Sequence, residues 1–521
     1  MESQDKSLRQ NCNFAVTMNR RAFVKATSLL TLPILLKSCN WLATDKSYDI
    51  QVDSDAATGH LLLKSRNFPI QRISPVETLI VGGGIAGMAA ACKLKDHDFL
   101  LCELSNGLGG SSSASSYNQS MFSQGAHYEY SYPQNYGAEV LALLKELNII
   151  ELLPWSESWS FKDQQYHIKH RRKNQCYSNG SFRSEVIPSL EQKKQLIDLT
   201  QPYAGKMLLP SRLVNTDSHY LNNISFLDFI KEKMPVDEEF IRGINYHMKD
   251  DYGAGSQQIS ALAGIHYFAC RPYYSEIVEL FSPPQGNYYF IDKMKDFVGG
   301  ERLLTHHLVS SISKSGSGFE VHIVDVDQQL TKVLQVKNII YAGQKHALKY
   351  IYPDAAPLFK KNVYAPWMVV NIVVDESILP SVGYWQNEML TDDESFMGFV
   401  DSKAQQTPLN RQRVLSAYYC LPPASRSDLV NVINNKQKIA EVTIARISEY
   451  FGTPIDKHVR KVFIKAMGHA MPIPAPGYLF NDKNDNRPDK NMVFAGVDNG
   501  RLPLLFEALD SGIIAAHLIK G

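Results

Sequence analysis

The chain has 521 residues, 44% of them hydrophobic and 10% aromatic, and its formal net charge is +1. This length and composition allow two domains, or one large interleaved pair, with a substantial core. A net charge so close to zero gives no indication of binding to nucleic acid or to an anionic membrane surface.

The first 39 residues are predicted to be an export signal and not part of the fold. Arg20 and Arg21, followed by Phe23 and Lys25, match the twin-arginine pattern R-R-x-F-x-K. The apolar stretch at residues 29–36 is shorter than the about 20 residues that span a bilayer. The pattern predicts a periplasmic or cell-envelope protein whose first partner is the twin-arginine export machinery.

Residues 36–39 read L-K-S-C, which is similar to a lipoprotein cleavage site. Two outcomes remain open, lipidation of Cys39 or simple removal of the leader. A lipid there would anchor the protein to the membrane without a spanning helix. Met18 directly precedes the twin-arginine pattern and is an alternative start to Met1. Residues 40–75 are then predicted to be a tether that leads into the fold.

A strand, a glycine-rich loop and a helix follow in the order of a dinucleotide-binding unit. Residues 78–81 are an apolar run typical of a buried parallel strand. Residues 82–87 read G-G-G-I-A-G, which fits the pattern G-x-G-x-x-G, and the small residues after them favour a helix. A second short strand at residues 99–102 ends at Glu103.

Each part of this unit has a physical task. Gly82 makes the tight turn, Gly84 lets the backbone approach a pyrophosphate, and Gly87 lets the helix pack against the strand. The helix N-terminus offers N–H donors to the phosphates, and Glu103 is expected to accept hydrogen bonds from the adenosine ribose. The residues predicted here to bind the dinucleotide are Gly82, Gly84, Ile85, Ala86, Gly87, Glu103 and Leu104.

Related sequence patterns occur later in the chain. Residues 107–112 form a second glycine-rich loop, and residues 124–128 read Q-G-A-H-Y. Near the C-terminus, residues 491–498 read as a strand that ends at an acid, and residues 507–516 as a helix rich in small side chains.

Taken together, these segments resemble the flavin-containing amine oxidase superfamily, which includes monoamine and polyamine oxidases, protoporphyrinogen oxidase and phytoene desaturase. The resemblance covers about residues 75–521 and, with the leader, suggests an exported twin-arginine branch. It implies FAD as cofactor and an α/β fold, in which a Rossmann-like FAD-binding domain of glutathione-reductase type is interleaved with an α+β substrate domain. The implied segments are 76–136, 281–345 and 466–521 for FAD, and 137–280 and 346–465 for the substrate.

The resemblance also implies further FAD-binding residues. The Gly-Gly pair of the second loop and the Gly-Ala pair after it would lie beside the flavin, and Val309 would contact the adenine through its backbone. These implied positions are Gly109, Gly110, Ser111, Gly125, Ala126, Val309, Gly496, Asp498 and Glu507.

Two departures from the family pattern affect the expected chemistry. Ser111 stands where an arginine is typical, so one phosphate contact is expected to be missing or replaced. Trp367 stands nearest the position of a lysine that many amine oxidases carry beside the flavin. This predicts slow reaction with oxygen and a quinone or electron carrier as acceptor. If the alignment is displaced by a few residues, Lys360 or Lys361 becomes that lysine.

The candidate catalytic residues are His127, Tyr128, Trp367 and His469. For both histidines a purely structural role is an equal alternative. The other histidine pairs and the scattered cysteines lack partners at ligand spacing, so no metal site is predicted.

The implied reaction transfers a hydride from a C–H of a small-molecule substrate, next to an amine nitrogen, to flavin N5. One alternative is an FAD-dependent desaturase or isomerase of an isoprenoid or lipid that uses a quinone or carrier. The other is a flavin-binding partner protein of the envelope with little turnover.

Overall fold

A computed structural model describes residues 47–63, 68–130, 133–168, 174–270, 280–375, 384–405 and 412–520. The predicted export signal, with Arg20, Arg21 and Cys39, lies outside these residues. Within them, no helix combines the length and apolar character that crossing a membrane requires.

Strands and helices are mixed along the whole described chain. The strands are β1 Ile50–Asp53, β2 Ile70–Arg72, β3 Val76–Val81, β4 Phe99–Cys102, β5 Ala114–Tyr117, β6 Ser120–Ser123, β7 Glu129–Tyr130, β8 Ile150–Leu153, β9 Ser158–Phe161, β10 His167–Ile168, β11 Asn174–Ser178, β12 Ser181–Arg183, β13 Leu280–Phe281, β14 Leu303–Leu304, β15 His307–Ser315, β16 Gly318–Asp325, β17 Leu330–Tyr341, β18 Tyr364–Asp375, β19 Gln386–Leu390, β20 Phe396–Asp401, β21 Gln412–Cys420, β22 Val459–Pro472 and β23 Met492–Phe494. The helices are α1 Ala56–Gly59, α2 Ile85–Lys93, α3 Ala138–Glu146, α4 Leu190–Thr200, α5 Phe226–Lys233, α6 Glu238–Tyr252, α7 Ala261–Cys270, α8 Tyr288–Val298, α9 Leu348–Ile351, α10 Val432–Phe451 and α11 Leu505–Lys520.

The first large sheet, which we call the nucleotide sheet, has a parallel centre in the order β14-β4-β3-β17, and β23 adds in parallel to β17. Ile80 of β3 is buried under α2, α8 and α11, whereas Leu79 and Val81 are buried in the apolar cluster on the opposite face of the sheet. The contact between α2 and α11 is close, since a Cβ on Gly512 would lie 2.1 Å from the carbonyl oxygen of Ala86. The predicted Rossmann-like unit is confirmed.

The second large sheet, the substrate sheet, has the order β1-β22-β18-β21-β20-β19-β11-β12. Helix α10 packs on one face of it, and α5, α6 and α7 pack on the other. Ser225 caps α5, as its Oγ accepts a hydrogen bond of 3.0 Å from Asp228 N. The chain passes repeatedly between the two sheets, so the predicted interleaved α/β class is confirmed.

Two segments differ from the predicted boundaries, and a third contains several short strands. Strand β22 runs on to Pro472, so residues 466–472 belong to the substrate sheet and not to the FAD-binding part. Within the implied substrate segment 137–280, the stretch 150–183 forms five short strands, β8 to β12. The described part of the predicted tether is folded, because β1 pairs in parallel with β22 and β2 with β17.

Candidate functional site

A cavity of about 1240 Å³ lies between the two sheets. Its walls include the loop after β3, the loop after β4, the start of β18 and the end of β22. Pockets for one drug-sized ligand usually measure roughly 300–1,000 Å³. The cavity is therefore large enough for a dinucleotide and a small substrate together.

The loop after β3 is shaped by its glycines. Gly82 has a φ of +105°, which disfavours any residue with a side chain. A Cβ on Gly87 would lie 1.9 Å from the carbonyl oxygen of Gly82, so the first turn of α2 sits directly against the loop. Ile85 and Ala86, at the helix N-terminus, line the cavity, and the free N–H groups of this turn favour a phosphate. Gly87 thus acts through packing.

Glu103 is held at the cavity wall by two backbone donors. Its Oε2 accepts a hydrogen bond of 2.6 Å from Gly83 N, and its Oε1 accepts one of 2.9 Å from Ser105 N. The residue is 6% exposed, and burial raises the pKa of its carboxyl against the lowering effect of these N–H groups. Leu104 and Val309, which are also predicted to bind the cofactor, line the same cavity.

The second glycine-rich loop meets the first one. Gly84 and Gly109 form an isolated parallel bridge, and a Cβ on Gly125 would lie 2.0 Å from the carbonyl oxygen of Ser111. The Ser111 hydroxyl donates a 3.2 Å hydrogen bond to the carbonyl oxygen of Ala470. These backbone segments, with Gly110 and Ala126, line the cavity.

Asp498 lines the cavity, but its carboxylate already has protein partners. Its Oδ1 accepts a hydrogen bond of 2.8 Å from Lys345 Nζ, and its Oδ2 accepts bonds of 2.9 Å from Lys345 N and from the Tyr364 hydroxyl. Its role in cofactor binding stays a prediction, because a carboxylate with these protein partners still lines the cavity. The backbone of the same segment turns at Gly496, which has a φ of +117°.

Glu507, the last acidic residue predicted to bind FAD, is deeply buried. It is 0% exposed and is not among the described residues that line the cavity. Its Oε1 accepts a hydrogen bond of 2.6 Å from Ser211 N, and Arg501 Nη1 lies 3.7 Å from its Oε2. Burial raises the pKa of this carboxyl to about 7. Glu507 connects α11 to the segment at Ser211.

Aromatic rings form the wall on the side of the substrate sheet. The ring of His127 lies 4.6 Å from that of Tyr418 and 5.2 Å from those of Tyr128 and Trp385. Trp367 Nε1 and His127 Nε2 are buried and have no hydrogen-bond partner among the described residues. Both atoms belong to residues that line the cavity, where a ligand can supply the missing partners.

His469 is stacked on His346 with ring centroids 3.5 Å apart and an interplanar angle of 9°. Burial lowers the pKa of His469 to about 3, with His346 and Arg426 adding to the shift. Burial also lowers the pKa of His346 to about 4. Both rings are therefore neutral near pH 7.

Several cavity residues were not identified from the sequence. Asp250 and Asp251 end α6, which carried no motif, and residues 54–63 were interpreted as a tether. The alternative lysines, Lys360 and Lys361, are exposed and are not among the described lining residues. Likewise, no group of three or more potential metal ligands occurs in the described ranges. The unpredicted lining residues include Asp250, Asp251, His346, Tyr364 and Arg426.

Residues 80–147 match the family of NAD(P)-binding Rossmann-like domains. No curated protein matches the chain in sequence. A structure of putrescine oxidase bound to putrescine matches with a TM-score of 0.61 and 14% identity, covering 87% of this chain and 100% of that one. Cyclohexylamine oxidase from Brevibacterium oxydans IH-35A matches with a TM-score of 0.61 and 14% identity, covering 85% of this chain and 98% of that one.

A third matching structure comes from Exiguobacterium sp. 255-15 and is provisionally assigned as a protoporphyrinogen oxidase. Its TM-score is 0.59 at 14% identity, and the match covers 85% of this chain and 98% of that one. The chain has an amine-oxidase fold. At this identity the likeness establishes the fold alone.

Within this amine-oxidase fold, the residues present fit a dinucleotide. The loop at Gly82 leaves room for a pyrophosphate, the N-terminus of α2 faces the cavity, and Glu103 lies at its wall. The buried polar atoms of Trp367 and His127 lack partners among the described residues and point to a further polar ligand group.

One expected result concerns pH. Burial lowers the pKa of His127 to about 4, whereas an unfolded histidine titrates near about 6.5. The unfolded chain therefore binds more protons below pH 6.5, and the free energy of unfolding should fall as the pH drops toward 4. In urea unfolding of the apoprotein, His127→Phe should reduce this loss by about 1–3 kcal/mol at the acidic end.

The matched control is His458→Phe, which removes a histidine outside the described cavity wall. If His127→Phe and the control both keep the pH profile of the unmodified protein, the prediction is wrong. His127 would then take up a proton in the folded state as readily as in the unfolded chain.

Proposed function

We propose that this protein is an FAD-dependent oxidoreductase of amine-oxidase type, in which bound FAD accepts a hydride at N5 from a substrate C–H next to an amine nitrogen. The observation that carries the proposal is the shared cavity. A dinucleotide cradle around Glu103 and an aromatic wall that includes Trp367 and Tyr418 face the same space. Such an arrangement can hold two reactants in contact and exclude water.

Residues of the nucleotide sheet would hold the FAD. The N-terminus of α2 would bind the phosphates, and Glu103 would accept hydrogen bonds from the ribose. The family description of the Rossmann-like match names NAD(P), but the interleaved amine-oxidase fold around the cavity favours FAD.

Residues of the substrate sheet would bind an amine. The faces of Trp367 and Tyr418 attract a cation, and Asp250 and Asp251 add negative charge to the same cavity. His127 is neutral near pH 7, because burial lowers its pKa to about 4, and its Nε2 can accept a hydrogen bond from the N–H of the substrate.

A second candidate is a desaturase or isomerase of an isoprenoid or other lipid. It is favoured by apolar side chains in the same cavity, namely Met467, Met471 and Leu504. The remaining possibility, a flavin-binding partner protein, requires that no small molecule be oxidised.

The test is anaerobic mixing of the FAD-loaded protein with amines, alcohols of equal chain length and isoprenoid lipids, while the visible flavin absorbance is recorded. Amines should bleach the flavin and the matched alcohols should not. Bleaching by lipids alone would support the second candidate, and no bleaching by any compound would support the partner protein. A colourless protein that cannot be reconstituted with FAD would contradict all three.

Trp367 leads to an expectation about the electron acceptor. A cation near the reacting centre stabilises the negative charge that develops when oxygen is reduced, and an indole supplies none. The reduced protein should therefore react slowly with oxygen and faster with a quinone. Stopped-flow mixing with air-saturated buffer tests this, with Trp367→Lys and Trp367→Phe as a matched pair. Reoxidation of the unmodified protein within milliseconds, with stoichiometric hydrogen peroxide, would refute the expectation.

We also propose that the protein acts in the cell envelope after twin-arginine export. A lipid on Cys39 would anchor it to the membrane. The support is the sequence pattern at residues 20–25.

A further inference from the structure

The N-terminal part of the described chain joins the two large sheets. Strand β1 pairs with β22 of the substrate sheet, with Ile50 opposite Val462 and Asp53 opposite Lys465. Strand β2 pairs with β17 of the nucleotide sheet. The chain between these strands must therefore pass from one sheet to the other. We call residues 54–63 of this connection the strap.

The strap passes along the cavity. Its lining residues belong to the same cavity as the ribose-binding candidate Glu103 and the loop at Gly82. Asp55 is near enough to contribute to the raised pKa of Glu103, although burial is the main cause. The strap residues that line the cavity are Ser54, Asp55, Ala56, Gly59, His60, Leu62 and Leu63.

One buried lysine holds the beginning of the strap. Lys465 Nζ lies 3.1 Å from Asp53 Oδ2 and 3.4 Å from Asp55 Oδ2, and the Lys465 side chain is only 5% exposed. The two aspartates are 34% and 40% exposed. Charge pairs that are partly buried are screened less by salt than surface pairs are. Lys465 therefore anchors the strap to β22 beside the cavity.

We propose that the strap is part of the dinucleotide site: it lies across the adenosine half of the bound FAD, and its anchorage by Lys465 slows the release of the cofactor. The inference rests on the proposed function only in that the dinucleotide is FAD. A cofactor enclosed in this way can leave only after the strap opens locally, and the Lys465 pairs must break for that opening.

The test measures the release of FAD from the holoprotein by the rise in free flavin fluorescence after dilution. Lys465→Met, which keeps the length of the side chain without its charge, should increase the release rate about tenfold. The matched control is Arg460→Met on the same strand, which removes the exposed pair with Asp375. Its release rate should stay within twofold of the unmodified protein.

A second variant separates anchorage from simple charge. Lys465→Met leaves two negative charges beside a site for phosphates, so repulsion alone could also speed release. Asp53→Asn combined with Asp55→Asn removes those charges and the anchorage together. Faster release in this double variant as well supports the strap, whereas unchanged or slower release overturns it. Limited proteolysis adds an independent readout, with cleavage within residues 54–63 expected to be faster in Lys465→Met than in the control.

The two failures can be told apart. If the protein binds no FAD, the proposed function fails. If it binds FAD but all variants release it at the unmodified rate, the function stands and the strap is refuted. A change in substrate affinity without a change in FAD release would also refute the assignment to the adenosine half.

Discussion

Replacing Glu103 with Ala should weaken FAD binding by about 10- to 100-fold, the equivalent of about 1.5–3 kcal/mol for a lost charge-assisted hydrogen bond. The structure adds a second reason for a large effect. The carboxylate also accepts hydrogen bonds from Gly83 N and Ser105 N, which lie in the loops after β3 and β4. In the variant both N–H groups would lose this acceptor. Titration of the apoprotein with FAD, followed by flavin fluorescence, gives the dissociation constant.

Two further variants make this result interpretable. Glu103→Gln keeps acceptor capacity without charge and should fall between the unmodified protein and Glu103→Ala. Asp98→Asn alters an exposed carboxylate that accepts a 2.8 Å hydrogen bond from Glu77 N, and it should leave FAD binding unchanged. Equal FAD affinity in all four proteins would mean that Glu103 makes no contact with the cofactor.

Replacing Lys345 with Met should lower the free energy of unfolding by about 3–5 kcal/mol, because it leaves a buried carboxylate without its counter-charge. The Lys345 side chain is 0% exposed and that of Asp498 is 9% exposed. Lys345 Nζ also donates a 2.6 Å hydrogen bond to the carbonyl oxygen of Ala495. Urea unfolding of the apoprotein measures the loss.

The double variant with Lys345→Met and Asp498→Asn should recover much of this stability, because it removes both charges. The side-chain oxygen of the new asparagine can still accept a hydrogen bond from the backbone N–H of residue 345. The control is Lys337→Met, whose pair with Glu77 is 65% and 46% exposed and should contribute less than about 1 kcal/mol. If Lys345→Met and Lys337→Met lose the same stability, the ion pair with Asp498 is not the stabilising feature that its burial indicates.

The best-predicted parts of the molecule are those determined by local sequence. The turn at Gly82, the close approach at Gly87 and the acid after β4 follow from steric and hydrogen-bonding needs within a short stretch of chain. The structure places Glu103 with its carboxylate at the cavity wall.

The parts that could not be predicted depend on partners far away in the chain. Asp498 looked available for a ligand because nothing nearby in sequence pairs with it, yet Lys345 binds it from another segment. Glu507 was assigned by its position in a pattern, but its partner is the backbone of Ser211. The segment at Asp55 looked like a polar tether because Lys465, its partner, lies near the other end of the chain.

The pairing of β1 with β22 also constrains how the protein is made. The partner of Ile50 is Val462, and helix α11, which covers α2, ends at Lys520. The substrate sheet can therefore be completed only after β22 has been synthesised, and the nucleotide sheet only after β23, which pairs with β17. Until β22 has been synthesised, one edge of β18 remains open to wrong pairing, and closing such long loops is slow. A chaperone that holds the nascent chain would shorten this exposure, and truncation before β22 should yield an insoluble product.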